Sequence, residues 1–237
     1  MTGAFITFEG GEGAGKSTQI ARIRRRIEAA GQPVLVTREP GGSPRAERIR
    51  SFLLSGQAKA YGPLAEAVLF SVARMDHLQR TIRPALAAGT HVLCDRFADS
   101  TRAYQGALGQ LDGRTLGILE RLAVEDTQPD LTIILDLPPE AGLERIQRRQ
   151  AARGEGADRF EAEGLPFHTA LREAFLRIAA AAPHRCVVVD ASQSEDAVEE
   201  AIWQAVRERV PRAAGRPAES PPKNPPKSPS KSIAHGA

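Results

Sequence analysis

Polar and apolar positions along the chain alternate between short β-rich runs and longer segments with helical spacing. The short apolar runs predict five strands, at 4–9, 33–37, 91–95, 131–137 and 185–190. The segments between them predict helices at 16–30, 44–54, 63–88, 113–125, 139–152, 165–182 and 194–210. This alternation is typical of a three-layer α/β fold, in which a five-stranded parallel sheet carries helices on both faces.

The C-terminal segment differs in composition from the rest of the chain. Residues 211–237 are rich in Pro, Ser and Lys and hold five basic residues against one acidic residue, a net charge of +4. Because the whole chain has a net charge of +3, residues 1–210 carry about −1. A segment with so few large apolar side chains cannot offset its ordering entropy, and we predict a disordered tail at 211–237 after one domain at 1–210. A neutral extension is favoured over an electrostatic contact with an acidic partner, and no nucleic-acid binding is expected of the domain itself.

Cysteine usage and the N-terminus bear on location. Cys94 and Cys186 both lie inside apolar runs, which favours buried thiols in a reducing compartment over a disulfide or a metal site. The N-terminus lacks a basic segment followed by a cleavable apolar stretch, and no run approaches the ~20 apolar residues of a membrane span. We therefore expect a cytoplasmic protein without a membrane segment.

A glycine-rich sequence, GGEGAGKST at 10–18, fits the phosphate-loop pattern G-x-x-x-x-G-K-[ST] between a predicted strand and a predicted helix. The glycines allow main-chain N–H groups to surround a phosphate, and the next helix adds the positive end of its dipole. In such a loop Lys16 bridges the β- and γ-phosphates and the Ser17 hydroxyl binds Mg²⁺. The predicted set for ATP is Gly10, Gly11, Glu12, Gly13, Ala14, Gly15, Lys16, Ser17 and Thr18.

The phosphate loop alone does not specify the reaction, because ATPases, GTPases and kinases share it. No N-K-x-D sequence follows a late strand, which disfavours a GTPase. The fourth strand ends in Asp136 without an adjacent Glu, unlike the strand of a typical ATPase. A kinase is favoured, while a nucleotide-dependent ATPase that contacts nucleic acid through its basic tail stays open as an alternative.

Charged residues follow the second and third predicted strands. Ligands of parallel sheets bind beyond the carboxyl ends of the strands, so both positions are candidates for a site. Asp95 is suited to hold Mg²⁺ through water, and Arg96 to bind an acceptor phosphate with two hydrogen bonds. Arg38 and Glu39 place a second charged turn on the same rim of the sheet.

Four segments occur in order within residues 4–210: FEGGEGAGKST, TREPGG, LFSVAR and DRFADSTRAYQG. With these segments the chain resembles the thymidylate kinase family, whose members have a P-loop NTPase-like fold. The resemblance implies a nucleoside monophosphate kinase that phosphorylates dTMP to dTDP with ATP and Mg²⁺, without a covalent intermediate. It also implies a homodimer. Another nucleoside or nucleotide kinase on the same scaffold would differ at the base site and stays open.

The resemblance assigns roles to the acceptor side. It implies that Phe70 stacks on thymine, that Arg96 binds the monophosphate, and that Glu12 faces the 3′-hydroxyl of the nucleotide sugar. It further places Thr101 and Gln105 at the base edge and Tyr104 beneath the sugar. The predicted substrate set is Glu12, Arg38, Glu39, Phe70, Arg74, Arg96, Ser100, Thr101, Tyr104 and Gln105.

A cluster of arginines around a glycine-containing turn predicts a mobile lid at about 148–160. Thymidylate kinases divide by whether a catalytic arginine comes from the phosphate loop or from the lid. Residues 11–14 contain no arginine, so the chain resembles the bacterial lid-arginine type. Arg153 is the first choice for this catalytic arginine, and Arg149 is the second. The predicted catalytic set is Lys16, Asp95, Arg96, Arg149 and Arg153.

Overall fold

The structure, a computed structural model, describes residues 2–109, 111–153 and 160–215. In these ranges one parallel sheet has the strand order β2-β3-β1-β4-β5. Its strands are β1 (Phe5–Gly10), β2 (Val34–Arg38), β3 (His91–Asp95), β4 (Leu131–Asp136) and β5 (Cys186–Asp190). The predicted α/β class with a five-stranded parallel sheet is therefore confirmed. The first strand is central, pairing with β3 on one side and β4 on the other, so the loop that follows it opens in the middle of the sheet.

Helices surround this sheet. They are α1 (Lys16–Ala29), α2 (Pro44–Leu54), α3 (Gly62–His77), α4 (Arg83–Ala87), α5 (Ala98–Thr101), α6 (Gly113–Val124), α7 (Pro139–Arg153), α8 (Leu165–Ala181) and α9 (Glu195–Arg209). Short 3₁₀ helices occur at Gln57–Tyr61 and Pro211–Ala214, and π-helical turns at Leu78–Ile82 and Arg102–Leu108. Among the described residues, no helix has both the length and the apolar character needed to cross a bilayer.

The two faces of the sheet are buried by different helices because side chains alternate along each strand. Ile6 of β1 belongs to a core that includes Ile23 of α1 and Ile202 of α9. Phe5, the preceding residue, packs on the opposite face with Leu78 and other residues around α4. Helix α8 covers a third part of the core. Each large apolar side chain buried in this way contributes about 1.5–3 kcal/mol.

Two helical regions differ from prediction. The single helix predicted at 63–88 is wrong in detail, because α3 and α4 are separated by the π-helical turn Leu78–Ile82. Pro84 has no N–H to donate to the carbonyl four residues earlier, which accounts for a wider turn just before it. Helix α5 and the π-helical turn Arg102–Leu108 were not predicted. Ala103 and Tyr104 of the π-helical turn are buried by α8, and Ala98 of α5 packs with Phe5 and Phe97, so burial here follows tertiary contacts and not a clear helical period.

The predicted boundary of the tail, after residue 210, comes too early. Pro211–Ala214 form a 3₁₀ helix, Ala213 is buried, and Arg212 Nη2 lies 2.7 Å from Asp130 Oδ1. The folded body therefore continues to Gly215. Residues 216–237 of the predicted tail and residues 154–159 of the predicted lid lie outside the described part of the chain.

The phosphate loop and the first turn of α7 approach each other at two glycines. Gly13 adopts φ +70°, and a Cβ built on it would lie 2.3 Å from the carbonyl oxygen of Gly142. A Cβ on Gly142 would lie 2.5 Å from the carbonyl oxygen of Glu12. Main chain contacts main chain here, so neither side can yield by turning a side chain, and both positions require glycine.

Replacement of Gly142 by alanine tests this contact. Gly→Ala inside a helix normally stabilises a protein by about 1 kcal/mol. At Gly142 we expect the opposite sign, a loss of at least about 1 kcal/mol in the free energy of unfolding, because the new methyl group meets backbone. Urea unfolding measures the change.

Gly117→Ala in α6 is the matched control. The nearest atom to its new Cβ would be the end of the flexible Arg121 side chain, 3.4 Å away. We expect this variant to gain up to about 1 kcal/mol. An equal gain in Gly142→Ala would contradict the close approach.

Candidate active site

The phosphate loop connects the end of β1 to the start of α1. Gly10, Gly13 and Gly15 have φ values of 128°, 70° and 90°, which residues with a side chain rarely adopt. Gly15 is the N-cap residue of α1, and no side chain caps that helix. The first N–H groups of α1 are therefore available to an anion, in line with the positive end of the helix dipole.

The Lys16 ammonium is held by the loop itself. Its Nζ donates hydrogen bonds to the carbonyl oxygens of Gly10, at 3.1 Å, and Gly11, at 2.8 Å. Burial lowers the pKa of Lys16, Arg96 lowers it further, and the carboxylates of Glu12 and Asp95 oppose the change. A cation bound only to neutral carbonyl oxygens is well placed to transfer to a phosphate, whose charged oxygens make stronger hydrogen bonds.

Two oxygen ligands suited to Mg²⁺ lie together at the carboxyl end of the sheet. The Ser17 hydroxyl donates to Asp95 Oδ2 at 3.0 Å. Hydroxyl and carboxylate oxygens are ligands that hard cations prefer. Within the described ranges no group of three or more His, Cys, Asp and Glu side chains could hold a metal. A cation here would therefore take its remaining ligands from nucleotide phosphates and water, as is usual for Mg²⁺.

Arg96 is turned back onto the phosphate loop. It has φ 68°, rare for a residue other than glycine. Its Nη2 lies 2.5 Å from Glu12 Oε1, and its Nη1 donates to the carbonyl of Gly10 at 3.2 Å. The guanidinium also lies over the Tyr104 ring, 5.2 Å from the centroid, and the Tyr104 hydroxyl donates to the same Glu12 oxygen at 2.7 Å. A strained backbone thus places a cation directly beside the phosphate loop.

The charge of Glu12 is fixed by these neighbours. Burial alone would raise the pKa of Glu12, but the charges of Arg96 and Lys16 and the hydrogen bond from Tyr104 outweigh burial and hold the pKa at about 2. Burial lowers the pKa of Arg96, but Glu12 and, to a smaller extent, Tyr104, Asp95 and Glu9 together raise it above its ordinary value. Both side chains are therefore charged at neutral pH, and an acidic residue inside a phosphate loop has a structural explanation.

A buried network holds Arg74. Its Nε lies 2.7 Å from Glu39 Oε2, and its Nη2 donates to Thr101 Oγ1 at 3.1 Å. His77 Nδ1 lies 3.1 Å from the other oxygen of Glu39. The Arg74 guanidinium lies over the Phe97 ring, 5.0 Å from its centroid. All five residues are buried, so Arg74 is rigidly oriented.

One cavity of about 670 Å³, a typical size for a small-molecule site, joins these parts. Of the predicted residues it is lined by Glu12, Gly13, Ala14, Gly15, Lys16, Ser17, Thr18, Arg38, Glu39, Phe70, Arg74, Asp95, Arg96, Ser100, Thr101, Tyr104, Gln105 and Arg149. Gly10 and Gly11 do not line it, but their carbonyl oxygens hold Lys16. Arg38 pairs with Glu47 through contacts of 3.2 Å. The structure thus brings together residues predicted from five separate segments, including the lid.

Of the two predicted lid arginines, the structure describes the side chain of only one. Arg149 lines the cavity and forms an ion pair with Glu161, whose other oxygen accepts a hydrogen bond from Gln150 at 3.0 Å. Arg153 is the last residue of α7, and its side chain lies outside the described part of the chain. Its catalytic role stays a prediction.

Residues of the site that were not predicted include Arg50 and Glu9. Arg50 of α2 lines the cavity and donates to the carbonyl of Pro40 at 2.8 Å. Glu9 is fully buried at the end of β1, where burial and then the charge of Asp99 raise its pKa to about 7, against the opposing effects of Ser100 and Arg96. The available signal for Glu9 was an acidic residue inside the apolar run FITFE.

Comparisons with known proteins agree with this geometry. The model of a family described as thymidylate kinase matches residues 8–202. The chain belongs to the thymidylate kinase family. It is similar to the thymidylate kinase of Bradyrhizobium diazoefficiens, with 57% identity over 197 residues that cover 83% of this chain and 85% of that protein. It is also similar to the thymidylate kinase of Caulobacter vibrioides, with 57% identity over 196 residues that cover 83% of this chain and 92% of that protein. The family predicted from the four sequence segments is confirmed.

Proposed function

We propose that the protein transfers the γ-phosphoryl group of ATP to the 5′-phosphate of dTMP, giving dTDP and ADP for DNA synthesis in the cytoplasm. The observation that carries this proposal is the position of Arg96. Its guanidinium contacts both Glu12 and the carbonyl of Gly10, so a monophosphate bound to Arg96 would lie directly beside a triphosphate in the loop. Membership of the thymidylate kinase family supports the same reaction.

The reaction requires positioning and charge neutralisation more than acid–base chemistry. An acceptor phosphate oxygen is already anionic, so it can attack in line without a general base. Lys16 would neutralise the β- and γ-phosphates, and Arg96 would release Glu12 to bind the acceptor phosphate. Ser17 and Asp95 are suited to hold Mg²⁺, which when bound would supply further charge neutralisation at the phosphate oxygens. Glu12, freed from Arg96, would then face the 3′-hydroxyl of the sugar.

Selectivity for thymine would come from the opposite end of the cavity. Phe70, one turn before Arg74 on α3, offers an aromatic face for stacking. Thr101 Oγ1 accepts its hydrogen bond from Arg74, which leaves the hydroxyl hydrogen available to the base. Gln105 adds an amide that can donate and accept. Tyr104 lies beneath the sugar position, where a 2′-hydroxyl would be crowded.

A panel of nucleoside monophosphates tests the proposal. With ATP and Mg²⁺, we expect dTMP to be phosphorylated at least about 100-fold more efficiently than dAMP, dGMP and dCMP, since a site built to hydrogen-bond one base edge strongly rejects bases with different donors and acceptors. Preference for another monophosphate would indicate a different kinase on this scaffold. Phosphate release without an acceptor would indicate an ATPase.

Lys16→Ala tests whether phosphoryl transfer depends on the phosphate loop. We expect turnover to fall at least about 1000-fold while dTMP binding stays measurable, because the ammonium acts on the donor. Lys59→Ala, at an exposed lysine, is the matched control and should keep full activity. Loss of the fold in Lys16→Ala would show that Lys16 is structural instead.

The lid would complete the site with an arginine, for which Arg153 is our first choice and Arg149 the second. We expect alanine at the catalytic position to lower kcat about 100-fold with little change in the KM for dTMP, since the charge acts on the transferred group. Arg148→Ala is the control, because Arg148 is exposed and pairs only weakly with Glu144 at 3.2 Å. An unchanged kcat in either variant removes that assignment.

We also propose a homodimer, formed through an apolar stripe on α3. Leu64, Val68, Val72 and Met75 recur every three to four residues, and their exposures are 51%, 40%, 46% and 46%. Ile118 and Leu122 of the neighbouring α6 extend the exposed apolar area. A contiguous apolar face of this kind indicates a protein contact, and a two-fold dimer buries the same patch on both subunits.

Val68→Asp tests the dimer. We expect light scattering to report a dimer for the unaltered protein and a monomer for the variant, because two desolvated carboxylates would oppose each other near the two-fold axis. Leu165→Asp, at an exposed leucine outside the stripe, should stay dimeric. A dimer that survives Val68→Asp would place the contact elsewhere.

A further inference from the structure

Glu9 is a buried carboxylate that the proposed reaction does not use. It lies at the end of β1, and all its hydrogen bonds come from the segment after β3. Oε1 accepts from the N–H of Phe97 at 2.8 Å and the N–H of Ser100 at 3.3 Å. Oε2 accepts from the Ser100 hydroxyl at 2.6 Å. One side chain thus satisfies three donors on a neighbouring loop.

These donors are the ones that a helix cap normally satisfies. Phe97 is the N-cap residue of α5, and Ser100 is its third helical residue. In a capping box the N-cap side chain accepts from the N–H of the third residue, whose side chain accepts from the N–H of the N-cap. The Phe97 side chain has no oxygen to do so, and the Ser100 N–H, which also contacts the Phe97 carbonyl at 3.2 Å, receives no side-chain cap from within α5. Glu9, which lies on β1, accepts hydrogen bonds from both of these N–H groups.

The cap is adjacent to the strained residue of the site. Arg96, which immediately precedes the N-cap, has φ 68°. Such a conformation persists only where surrounding contacts enforce it. The N–H of Arg96 is bound to the carbonyl of Phe8, and the next N–H, that of Phe97, is bound to Glu9. The end of β1 therefore holds the main chain on both sides of the Arg96 Cα.

A second connection runs through side chains. The Ser100 hydroxyl donates its hydrogen to Glu9, which leaves its lone pairs for Arg96 Nη1 at 3.3 Å. The other buried carboxylate nearby, Asp99, is bound by Arg185 at 2.6 Å and Arg102 at 2.9 Å, so it does not compete for these donors. Glu9 thus sets both the backbone and the hydroxyl that orient the Arg96 guanidinium.

We propose that Glu9 is a positioning residue that caps α5 from β1 and thereby aims Arg96 at the acceptor phosphate. The inference rests on the proposed function only in taking the acceptor to be a nucleoside monophosphate. Loss of the carboxylate should weaken binding of the phosphate group and change binding of the nucleoside part little, because Phe70 lies on α3 and Thr101, at the far end of α5, is also held by Arg74.

Glu9→Gln separates these effects. The amide keeps an oxygen for the two N–H groups but directs N–H donors at the Ser100 hydroxyl, which then loses its acceptor. Calorimetry would measure binding of dTMP and of thymidine, which lacks the phosphate. We expect about tenfold or more weaker dTMP binding, the usual size for a hydrogen bond to a charged group, and thymidine binding within about twofold.

Thr7→Val is the matched control, since Thr7 lies two residues earlier on β1 and shares a buried hydrogen bond of 2.9 Å with Thr132. We expect it to lower the melting temperature without changing the ratio of dTMP to thymidine affinity. Ser100→Ala deletes the side-chain connection alone and should reproduce the loss for dTMP. It also provides the test if Glu9→Gln does not fold.

The inference is overturned if Glu9→Gln or Ser100→Ala weakens dTMP and thymidine equally, or weakens neither. In that case a wild-type preference for dTMP over thymidine would leave the proposed function intact. If the wild-type protein binds dTMP no more tightly than thymidine, Arg96 does not bind phosphate, and the proposed function fails together with the inference.

Discussion

The ion pair between Glu12 and Arg96 is the interaction on which the rest of the site depends. It links the loops that follow two neighbouring strands, β1 and β3, across a contact of 2.5 Å. Two largely buried charges are costly unless each neutralises the other, so the pair keeps a guanidinium oriented in the cavity before any phosphate arrives. An anion that displaces Glu12 then inherits a cation that is already desolvated and oriented.

Rigid surroundings allow Arg96 to exchange Glu12 for an anion without a change in its own position. Arg96 projects from a loop whose main chain is bound to β1 on both sides, and Arg74 is held in a separate buried network at the other end of the cavity. The side chains that would contact an acceptor therefore differ little in position before and after binding. The ordering entropy of these groups is lost during folding and not during catalysis.

Local sequence was sufficient for the strands, the phosphate loop and most helices, because their signals lie within single segments. It was insufficient where distant segments decide the outcome. The π-helical turn before Pro84 and the helical conformation after Phe97 depend on packing against α8 and the sheet. Glu9 and Ser100 are 91 residues apart, and no periodicity in either segment predicts that one caps the other. The same limit applies to the pairing of Glu39 with Arg74 and His77.

The contact between Gly13 and Gly142 couples the orientation of α7 to the position of the phosphate loop. The far end of α7 at Arg153 is 11 residues away from Gly142, or roughly 16 Å along the helix. A tilt of α7 by about 10° at Gly142 would move the Arg153 end by roughly 3 Å, the length of one hydrogen bond. A shift of the loop main chain would therefore be transmitted along α7 to the arginines near its C-terminal end.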